Sequence, residues 1–409
     1  MIFFELKYSY MKKNFLIALM HCTALFFCTK VKATTNDSIP AIKTYHIGIF
    51  APLYLDSVFS TAGNFRYKQA MPKFIMPATD FVNGALIALD SLKIEGVKIV
   101  ATVYDTKSFT QPMPALIRNK KLEKLDLIIG SVKDQDYKYL ADEALLRKIP
   151  FISSTYPNDG GITNNPFVFI LNSTLKAHCE AIFSYLLQNH GTDKIYICRK
   201  KGVQEDKVAN YFKTINEQDG KALLPITTIL IDSTIEPGII SQQLDSNRQS
   251  IIIGGSLEEN FAASLTKACF NLNKQYPIML VGMPNWDGFK SLSKNDVFED
   301  FSIHFTTPFY NTKNDITSKM LQTIYTKRHN GKPTDMTFKG YESVNVFIKL
   351  LVKYPTDFAS KINDKSIQLF TEYNFKPVVQ KSNSTLPDYF ENKHLYFIKI
   401  FNGNTYKAW

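Results

Sequence analysis

Short apolar segments alternate with amphipathic segments along most of this chain, and that alternation restricts the possible folds more than any other feature. In the first part of the chain, strands are predicted over about 43–50, 97–104, 125–129 and 149–152. Helical spacing separates these strands; Phe81, Ala85, Ala88 and Leu92, for example, share one face of a helix. Strands and helices that alternate at this spacing predict βαβ units on a parallel sheet.

The same alternation starts again after residue 171, which predicts a second α/β half. Strands of this half are predicted over about 194–198, 226–231, 250–254, 278–281 and 301–306. The chain has 409 residues, and single cores stop growing at about 250–300 residues, so two lobes are expected. Apolar residues make up 45% of the chain and supply these cores. Because no linker rich in Pro, Gly or Ser divides the halves, we expect several short crossings between them.

The end of the chain has a different pattern. Residues 395–401 alternate apolar and polar side chains with a period of two, and Asn402-Gly403 follows them. Asn-Gly between two such segments is a strong turn signal, so a C-terminal β-hairpin is expected.

The first 33 residues have the pattern of a secretory signal peptide. A basic start at Met11–Asn14 precedes an apolar run over residues 15–28, and Val31-Lys32-Ala33 fits the small-x-small cleavage pattern. We therefore expect cleavage after Ala33 and export of residues 34–409. The apolar run is shorter than the ~20 residues of a membrane span. A lipid anchor at Cys22 or Cys28 is the alternative, and the bulky residues before each cysteine argue against it.

Charge and cysteine content exclude two other classes of protein. Removal of the five basic residues and one acidic residue of the signal lowers the net charge from +11 to +7. The remaining bases are scattered and no nucleic-acid motif accompanies them, so solvated faces are favoured, with attraction to anionic envelope surfaces as the alternative. Cys179, Cys198 and Cys269 form an odd, sparse set, which favours buried thiols over a disulfide scaffold. A disulfide bond between Cys179 and Cys198 remains the alternative.

The motifs of common catalytic sites are absent from the sequence. The chain has no Gly-x-Ser-x-Gly elbow, no His-Glu-x-x-His and no glycine-rich phosphate loop. His178 and Cys179 are adjacent but lack further ligands at zinc spacing. We therefore expect no enzyme activity, no cofactor and no metal site.

Polar side chains follow the predicted strands at the points where a ligand would bind. In doubly wound sheets, ligands bind beyond the carboxyl ends of the strands. The candidate residues at these ends are Tyr54, Asp105, Ser131, Ser153, Ser154 and Thr155. Hydroxyl groups can donate to an anionic group, although Ser and Thr also cap helices and end strands. Both interpretations remain open at these positions.

Several of these segments, in this order, resemble the type I periplasmic binding protein family, which includes the leucine/isoleucine/valine-binding proteins and receptor ligand-binding regions. The matching segments are residues 47–53 (IGIFAPL), 81–92, 127–131 (LIIGS), 149–155 (IPFISST) and 341–345 (YESVN). The resemblance covers about 44–409. The chain is also similar in style to exported members from the Bacteroidetes group.

This resemblance implies an α/β fold of two Rossmann-like lobes, whose parallel central sheets are joined by a multi-strand hinge, with a C-terminal β-hairpin. The implied division is residues 44–171 plus 307–364 for lobe 1, and 172–306 plus 365–409 for lobe 2. In the family, hydroxyl and backbone groups at the positions of Ser131 and of 153–155 hold a ligand carboxylate. In lobe 2, Glu258 is the candidate partner of an ammonium group, and Trp286 is a candidate aromatic wall. An acidic residue in a first helical turn also serves the helix dipole, and a tryptophan also serves the core.

Two functions follow from these observations. The first is an exported solute-binding protein, whose lobes close on a small polar, amino-acid-like ligand for uptake by an ABC-type transporter or for sensing. The alternative is a degenerate binding-protein fold that acts as an interaction module in the cell envelope, which the long loop 51–77 favours because it could cover the cleft. We expect a periplasmic monomer whose partners are a small molecule and a membrane permease or envelope protein, without nucleic acid.

Overall fold

Two sheets of seven strands each form the framework of the protein. The computed structural model describes residues 43–68, 70–231, 235–292, 298–380 and 384–409, and residues 44–409 form one compact unit. The strands are β1 (Tyr45–Ala51), β2 (Ile99–Asp105), β3 (Leu127–Gly130), β4 (Phe151–Ser153), β5 (Val168–Ile170), β6 (Lys194–Arg199), β7 (Glu217–Gln218), β8 (Lys221–Ala222), β9 (Ile226–Leu230), β10 (Ser250–Gly254), β11 (Ile278–Val281), β12 (Ser302–Thr307), β13 (Phe375–Val378), β14 (Tyr389–Asn392), β15 (Tyr396–Phe401) and β16 (Asn404–Lys407).

Helices connect these strands in both halves. The helices are α1 (Leu55–Val58), α2 (Met76–Ile94), α3 (Met113–Arg118), α4 (Asp134–Arg147), α5 (Leu175–Asn189), α6 (Val203–Asn216), α7 (Pro237–Ser241), α8 (Glu259–Leu272), α9 (Ile316–His329) and α10 (Asp335–Lys353). Short 3₁₀ turns occupy Lys73–Ile75, Pro284–Gly288 and Lys365–Ile367. Among the described residues, no helix combines the length and the apolar character that crossing a bilayer requires.

Each lobe is built on a parallel core with the same strand order. The sheet of lobe 1 runs β13-β14-β5-β4-β3-β1-β2, and that of lobe 2 runs β16-β15-β12-β11-β10-β6-β9. The central strands β3, β10 and β11 are buried along their whole length. This is expected for strands with helices on both faces of the sheet. The predicted α/β class and its two parallel cores are confirmed.

The described chain crosses between the lobes three times. It passes from β5 to α5 through residues 171–174, from β12 to α9 through 308–315, and from β14 to β15 through 393–395. The predicted hinge of several short crossings therefore has three segments in the described part of the chain.

The strand pairing of the last 45 residues differs from the expected division of the lobes. Residues 365–409 were expected in lobe 2, but β13 and β14 extend the sheet of lobe 1, where β14 runs parallel to β5. Only β15 and β16 belong to lobe 2. β13 contains Pro377, which an edge strand tolerates but which weakens the strand signal in the sequence.

The direction of the added strands follows from the position of the crossing. β14 is parallel to the core of lobe 1, so it ends at the edge where the parallel strands end. The chain then crosses directly into lobe 2, where β15 must run away from the corresponding edge. β15 is accordingly antiparallel to β12, and the predicted turn at Asn402-Gly403 connects it to β16, with both turn residues at positive φ. The predicted C-terminal hairpin is confirmed.

Helices α2 and α10 of lobe 1 approach one another at two glycines. A Cβ atom on Gly84 would collide with the carbonyl oxygen of Thr337, and one on Gly340 would collide with that of Phe81. The two backbones are therefore in direct contact, and this contact fixes the position of the first turns of α10 beside the crossing segments. The predicted signal peptide, residues 1–33, lies outside the described residues.

Candidate ligand-binding cleft

A cavity of about 1180 Å³ lies between the two lobes, where the chain crosses from one to the other. Lobe 1 contributes residues after β4, the edge strands β13 and β14, and one side chain of α10. Lobe 2 contributes the first turns of α5 and α6 and the segments that follow β10 and β11. Small-molecule sites commonly occupy about 300–1,000 Å³, so this cavity has room for a ligand of that class.

Hydrogen bonds tie two of the three crossing segments to each other beside the cavity. The hydroxyl of Ser173 donates to the carbonyl oxygen of Asn392 at 2.5 Å, and the backbone N–H of Thr174 donates to Oε1 of Glu391 at 2.7 Å. These bonds join the end of β14 to the start of α5. The two crossings are therefore pinned to each other beside the cavity.

Lys393 is neutralised within the cleft by two carboxylates. Its ammonium group lies 2.6 Å from Glu391 and 2.9 Å from Glu180. Burial opposes the charge of Lys393, but the two carboxylates outweigh it and raise the pKa of this lysine. Such a desolvated, mutually hydrogen-bonded group needs no ligand to balance its charge.

Asp159 also has its partners within the protein. Its Oδ2 accepts hydrogen bonds of 3.1 Å from the hydroxyl of Tyr389 and from Nε2 of Gln380, and its Oδ1 accepts one from the N–H of Gly161 at 2.9 Å. Burial and the charge of Asp159 raise the pKa of Tyr389, which stays a neutral donor. This group fixes a polar wall on the lobe 1 side of the cavity.

His178 borders the cavity from the first turns of α5. Its Nδ1 lies 2.7 Å from Oγ1 of Thr306 in β12. Burial, with the charge of Lys393 as a second cause, lowers the pKa of His178 to about 3. The ring is therefore neutral at physiological pH and serves as a hydrogen-bonding group rather than as a cation.

Lys339 and Asp287 enter the cavity from opposite lobes without an ion-pair partner among the described residues. The ammonium group of Lys339, on α10, lies 4.1 Å from the centroid of the Phe309 ring. Burial lowers the pKa of Lys339, and the charges of Asp335 and Asp287 partly oppose that effect. Burial raises the pKa of Asp287, and the charge of Lys339 opposes it. The two groups thus act on each other's ionisation across the cleft.

The strand-end hydroxyls of lobe 1 are only partly placed as the sequence suggested. The hydroxyls of Ser131 and Thr155 lie 3.1 Å apart at adjacent strand ends, but neither residue lines the cavity. Ser153 and Ser154 are fully buried, and neither of them lines the cavity either. The hydroxyl oxygens of both residues are buried and have no hydrogen-bond partner among the described residues. Direct ligand contact by these two hydroxyls does not fit this arrangement.

Asp105 and Tyr54 organise the first loop. The Asp105 carboxylate accepts hydrogen bonds from the backbone N–H groups of Leu53, Tyr54 and Leu55 at 2.9, 3.0 and 2.7 Å. Tyr54 has a left-handed backbone conformation with φ of 53°, and its ring packs edge-on against Phe74 at 5.3 Å. Both residues are therefore occupied in shaping the loop, and neither borders the cavity.

The two lobe 2 candidates, Glu258 and Trp286, lie beside the cavity rather than in its wall. Glu258 is exposed and forms an ion pair with Lys200 at 2.5 Å. Trp286 is fully buried in the core of lobe 2, where its indole N–H donates to the carbonyl oxygen of Ser256 at 2.9 Å. The expectation of an aromatic wall at Trp286 does not hold, because Gly254 and Gly282 leave a space in the core that the indole fills.

Residues next to the predicted ones line the cavity instead. Pro157, Asn158 and Asp159 follow Thr155 by two to four residues, Leu257 precedes Glu258, and Asn285 and Asp287 flank Trp286. The sequence could have indicated these residues, because they are polar or lie next to a predicted strand end. Such neighbours remain candidates when the residue at the strand end is itself buried. For Lys339 and Lys393 the sequence carried no such signal, because only the packing of α10 and the crossing after β14 bring them to the cleft.

The first loop does not fill the cavity. None of the described residues in 51–68 and 70–77 lines it. Apolar side chains of this loop are exposed instead, namely Leu55, Phe65, Tyr67, Met71, Phe74 and Met76. The described residues also contain no group of three or more His, Cys, Asp or Glu side chains placed to hold a metal ion.

Comparison of the sequence with family models gives one match. The periplasmic binding protein model matches residues 75–368, which is most of the two-lobed part of the chain. A search of curated proteins gives no match.

Comparison with solved structures gives many matches. The substrate binding protein LivJ of a branched-chain amino acid transporter from Streptococcus pneumoniae, in complex with isoleucine, aligns at 16% identity and a TM-score of 0.50, covering 89% of this chain and 98% of that one. An ABC transporter substrate-binding protein from Desulfitobacterium hafniense, in complex with Leu, aligns at 11% identity and a TM-score of 0.53, covering 90% and 100%. A branched-chain amino acid ABC transporter periplasmic ligand-binding protein from Burkholderia xenovorans aligns at 11% identity and a TM-score of 0.56, covering 88% and 91%. At these identities the similarity establishes a shared fold.

Proposed function

The chain belongs to the periplasmic binding protein family, and on that premise we propose that it is an exported solute-binding protein whose lobes close on a small polar, amino-acid-like ligand. The observation that carries this proposal is the position of this cavity. It lies between the lobes, at their crossings, and both lobes contribute polar side chains to its wall. A ligand held there contacts both lobes at once.

Closure would follow from such contacts. A two-lobed protein shifts towards its closed form when a ligand binds that form more tightly than the open one. The pinned crossings, with Ser173 bonded to Asn392 and Thr174 bonded to Glu391, keep the axis of this rotation constant. The ligand-free protein would then present an open cleft, and the closed, loaded form would be recognised by a permease of the ABC type or by a sensor.

A thermal-shift screen tests this proposal. The mature protein, residues 34–409, is heated with each of the twenty L-amino acids and with a set of short peptides and small organic acids. A ligand at 100 times its Kd stabilises the native state by about 2.7 kcal/mol, which gives a clear shift in Tm. Small-angle X-ray scattering of the stabilised sample should show a smaller radius of gyration. If no compound shifts the Tm, the proposal fails.

We also infer that the protein is periplasmic. Residues 1–33 have the pattern of a secretory signal, and the family consists of exported proteins. Intact-mass measurement of the protein purified from its host tests this inference. A mass that corresponds to residues 34–409 supports cleavage after Ala33, and a mass that includes a diacylglyceryl group on Cys22 or Cys28 supports the lipid anchor instead.

One observation favours the alternative function as an envelope interaction module. The first loop exposes Phe65, Tyr67 and Phe74, and the Phe65 ring contacts the rings of both Phe59 and Tyr67 in a tilted arrangement, with centroids 5.8 Å apart in each pair. Exposed apolar patches with a polar rim are typical of interaction sites. Such a loop could contact an envelope protein while the cleft binds a ligand or remains empty.

Cross-linking in the cell envelope tests this second function. A Phe74→Ser variant should lose any cross-link to an envelope protein, because the exposed ring leaves the loop surface. Ile316→Ser, which changes an exposed apolar side chain on α9, is the control and should keep the cross-link. Identical cross-link patterns for the wild-type protein and both variants would remove the support for this function.

A further inference from the structure

The first loop of lobe 1 contains apolar side chains of two kinds. Val58 and Ile75 are buried and hold the loop in the fold. The others remain exposed, and the largest of them are Phe65, Tyr67, Met71 and Phe74. None of the described residues of this loop lines the interlobe cavity. Neither the core nor the cleft therefore accounts for the exposed side chains.

Hydrogen bonds and ring contacts give the loop a defined shape. Phe59 and Phe65 pair in an antiparallel bridge, and Nε of Arg66 donates to the carbonyl oxygen of Phe59 at 2.9 Å. At the base of the loop, the rings of Tyr54 and Phe74 are in edge-on contact, with centroids 5.3 Å apart. The two ends of the loop therefore meet, and the side chains between them project from one place on lobe 1.

The charged side chains of this loop are all basic. Residues 57–79 contain no Asp or Glu. Arg66, Lys68 and Lys73 lie in this range, and all three are exposed. The exposed aromatic rings are thus interleaved with cations, without a carboxylate among them.

The two aspartates that flank this range are occupied by other parts of lobe 1. The Asp56 carboxylate accepts hydrogen bonds from the backbone N–H groups of Phe109 and Thr110, at 2.7 and 3.0 Å. Asp80 is buried and accepts a hydrogen bond from the hydroxyl of Tyr325 at 2.7 Å. Both carboxylates fix the base of the loop, and the surface between them carries only positive charge.

Exposed rings combined with Lys and Arg are typical of surfaces that lie in the interface of an anionic bilayer. Aromatic rings are favourable at the depth of the lipid headgroups, and long basic side chains extend from there to the phosphates. A protein partner fits this composition less well, because the buried centres of protein–protein interfaces are depleted in lysine. The combination of rings and uncompensated cations therefore favours a lipid surface.

We propose that the first loop docks the protein on an anionic phospholipid bilayer: its exposed rings enter the headgroup region, and its three basic side chains contact the lipid phosphates. This inference rests on the proposed export, which brings residues 34–409 beside an envelope membrane, and it makes the partner of the loop a lipid. Because the loop does not line the interlobe cavity, docking uses no part of the wall that a solute contacts.

Flotation with lipid vesicles tests the proposal on the mature protein. One set of vesicles consists of phosphatidylcholine, and the other contains about one-third phosphatidylglycerol, which supplies the negative charge. Phe74→Ser removes one exposed ring of the loop. The double variant Lys68→Gln/Lys73→Gln removes two of its three positive charges.

Matched control variants lie in lobe 2. Leu230→Ser removes an apolar side chain from β9 that is 50% exposed, against 54% for Phe74. Lys267→Gln/Lys274→Gln lowers the net charge by the same amount as the loop double variant, and both of these lysines are exposed. All four variants change exposed side chains, so each should keep the Tm of the wild type to within about 2 °C.

The wild type should float with the phosphatidylglycerol vesicles, dissociate at high salt, and bind phosphatidylcholine vesicles at least about 10-fold more weakly. Phe74→Ser should weaken binding to the anionic vesicles about 5-fold or more, because less apolar surface enters the bilayer. Lys68→Gln/Lys73→Gln should weaken it about 10-fold or more. Both control variants should stay within about 2-fold of the wild type, since charges beyond a Debye length from the lipid are screened.

Three outcomes would overturn the proposal. The first is a wild type that binds neither set of vesicles; a cross-link to an envelope protein that depends on Phe74 would then assign the loop to a protein partner. The second is equal weakening by the two lysine double variants, which would assign binding to net charge alone. The third is a dimer in analytical ultracentrifugation that Phe74→Ser dissociates, which would assign the loop to a second copy of this chain.

These results are distinguishable from a failure of the proposed function. A protein whose Tm rises with a solute but which does not float with vesicles binds its solute without the docking proposed for the loop. A protein that floats but responds to no solute retains the lipid surface and lacks the solute-binding function. Export is tested separately by the intact mass.

Discussion

The two lobes have parallel cores of the same strand order but are packed in different ways. In lobe 1, Gly84 and Gly340 bring the backbones of α2 and α10 into contact, so two helices form the dense part of the core. In lobe 2, Gly254 and Gly282 make room for a single large side chain, the indole of Trp286, next to the sheet. Small residues serve backbone contact in one lobe and side-chain packing in the other. Each packing arrangement also positions a residue that lines the cavity, because Lys339 precedes Gly340 and Asp287 follows Trp286.

The strongest test of this difference is the removal of the indole in lobe 2. Trp286→Ala should lower the free energy of unfolding by about 3–5 kcal/mol, because a fully buried ring leaves a cavity that two glycines cannot fill. Urea denaturation measures the loss, and hydrogen exchange should increase in lobe 2 more than in lobe 1. Trp409→Ala, which removes an exposed ring, is the control and should cost less than about 1 kcal/mol. If Trp286→Ala is as stable as the wild type but binds ligand more weakly, Trp286 contacts the ligand rather than filling the core.

The matching test in lobe 1 adds a methyl group where the helices touch. Gly340→Ala should cost about 2–3 kcal/mol or more in urea denaturation, because the new Cβ meets the backbone of Phe81, which cannot move without shifting α2. Gly331→Ala in the same lobe is the control, because the nearest atom to its added Cβ is the His329 carbonyl oxygen at an ordinary 3.7 Å. If Gly340→Ala and Gly331→Ala are equally stable, α2 and α10 can move apart at little cost. Close backbone contact would then not distinguish the packing of lobe 1 from that of lobe 2.

The acid sensitivity of the two lobes should also differ, beginning with His178 in lobe 2. Burial lowers the pKa of His178 to about 3, while its value in the unfolded chain is about 6.5. The native state therefore excludes a proton that the unfolded state takes up. The stabilising contribution is complete above about pH 6.5 and falls as the pH decreases towards 3, with a loss of about 1–2 kcal/mol at pH 5.

A comparison of unfolding free energies at pH 7 and pH 5 checks this expectation. His178→Gln should lose less stability than the wild type over this interval, because it has no group to protonate and its amide can still bond Thr306. His329→Gln, at an exposed position on α9, is the control and should keep the wild-type profile. An unchanged pH profile for His178→Gln would assign the acid sensitivity to other groups.

Glu342 in lobe 1 should have the opposite sign and a smaller effect. Burial raises the pKa of Glu342, although hydrogen bonds from Thr371 and Phe370 oppose this shift. The native state then binds a proton more readily than the unfolded chain, so protonation as the pH falls through the raised pKa adds stability. Glu342→Gln should remove this gain and change the difference between pH 5 and pH 7 by less than about 1 kcal/mol. The expectation of a small effect would be wrong if Glu342→Gln lost much more stability than the wild type between pH 7 and pH 5. Protonation of Glu342 would then be the dominant contribution of lobe 1 to stability at low pH.

The smallest expected effect concerns the three cysteines of lobe 2. They should not react with a thiol reagent in the native state. Cys179, Cys198 and Cys269 are free and buried, and burial raises the pKa of the Cys198 thiol to about 12. Thiolates are the reactive form, so a thiol reagent should modify none of the three until lobe 2 unfolds. Titration in urea should then count three thiols in residues 34–409, and addition of a reductant should leave Tm unchanged. Fewer than three thiols, or a Tm that falls on reduction, would point to a disulfide.

Much of the fold could be predicted from local pattern alone. The strands β1, β3 and β10 are nearly continuous apolar segments, and the period-two tail with Asn402-Gly403 is a hairpin signal, so their type and order follow from the residues themselves. The edge strands β13 and β14 could not be placed this way. They are short, one contains Pro377, and their lobe depends on which sheet edge the chain reaches after α10.

The candidate site was predictable to within a few residues but not to the side chain. Strand ends are set by the sequence pattern, and ligands bind beyond them in this fold class, so the segments after β4, β10 and β11 were selected as candidates, and residues of all three segments line the cavity. The orientation of each side chain is decided by packing: Ser153 and Ser154 turn inward, Trp286 fills a core space between two glycines, and their neighbours Asp159 and Asp287 reach the cavity.

The sequence by itself determined the α/β class, the two lobes and the segments that meet at the cleft, because these depend on periodicity, chain length and turn residues over short windows. Only the tertiary structure decided which lobe takes each edge strand and which charges are paired. Lys393 is satisfied by Glu180, more than two hundred residues away in the chain, while Lys339 and Asp287 approach each other from different lobes. Such pairing depends on distances between segments far apart in sequence, and no local pattern encodes those distances.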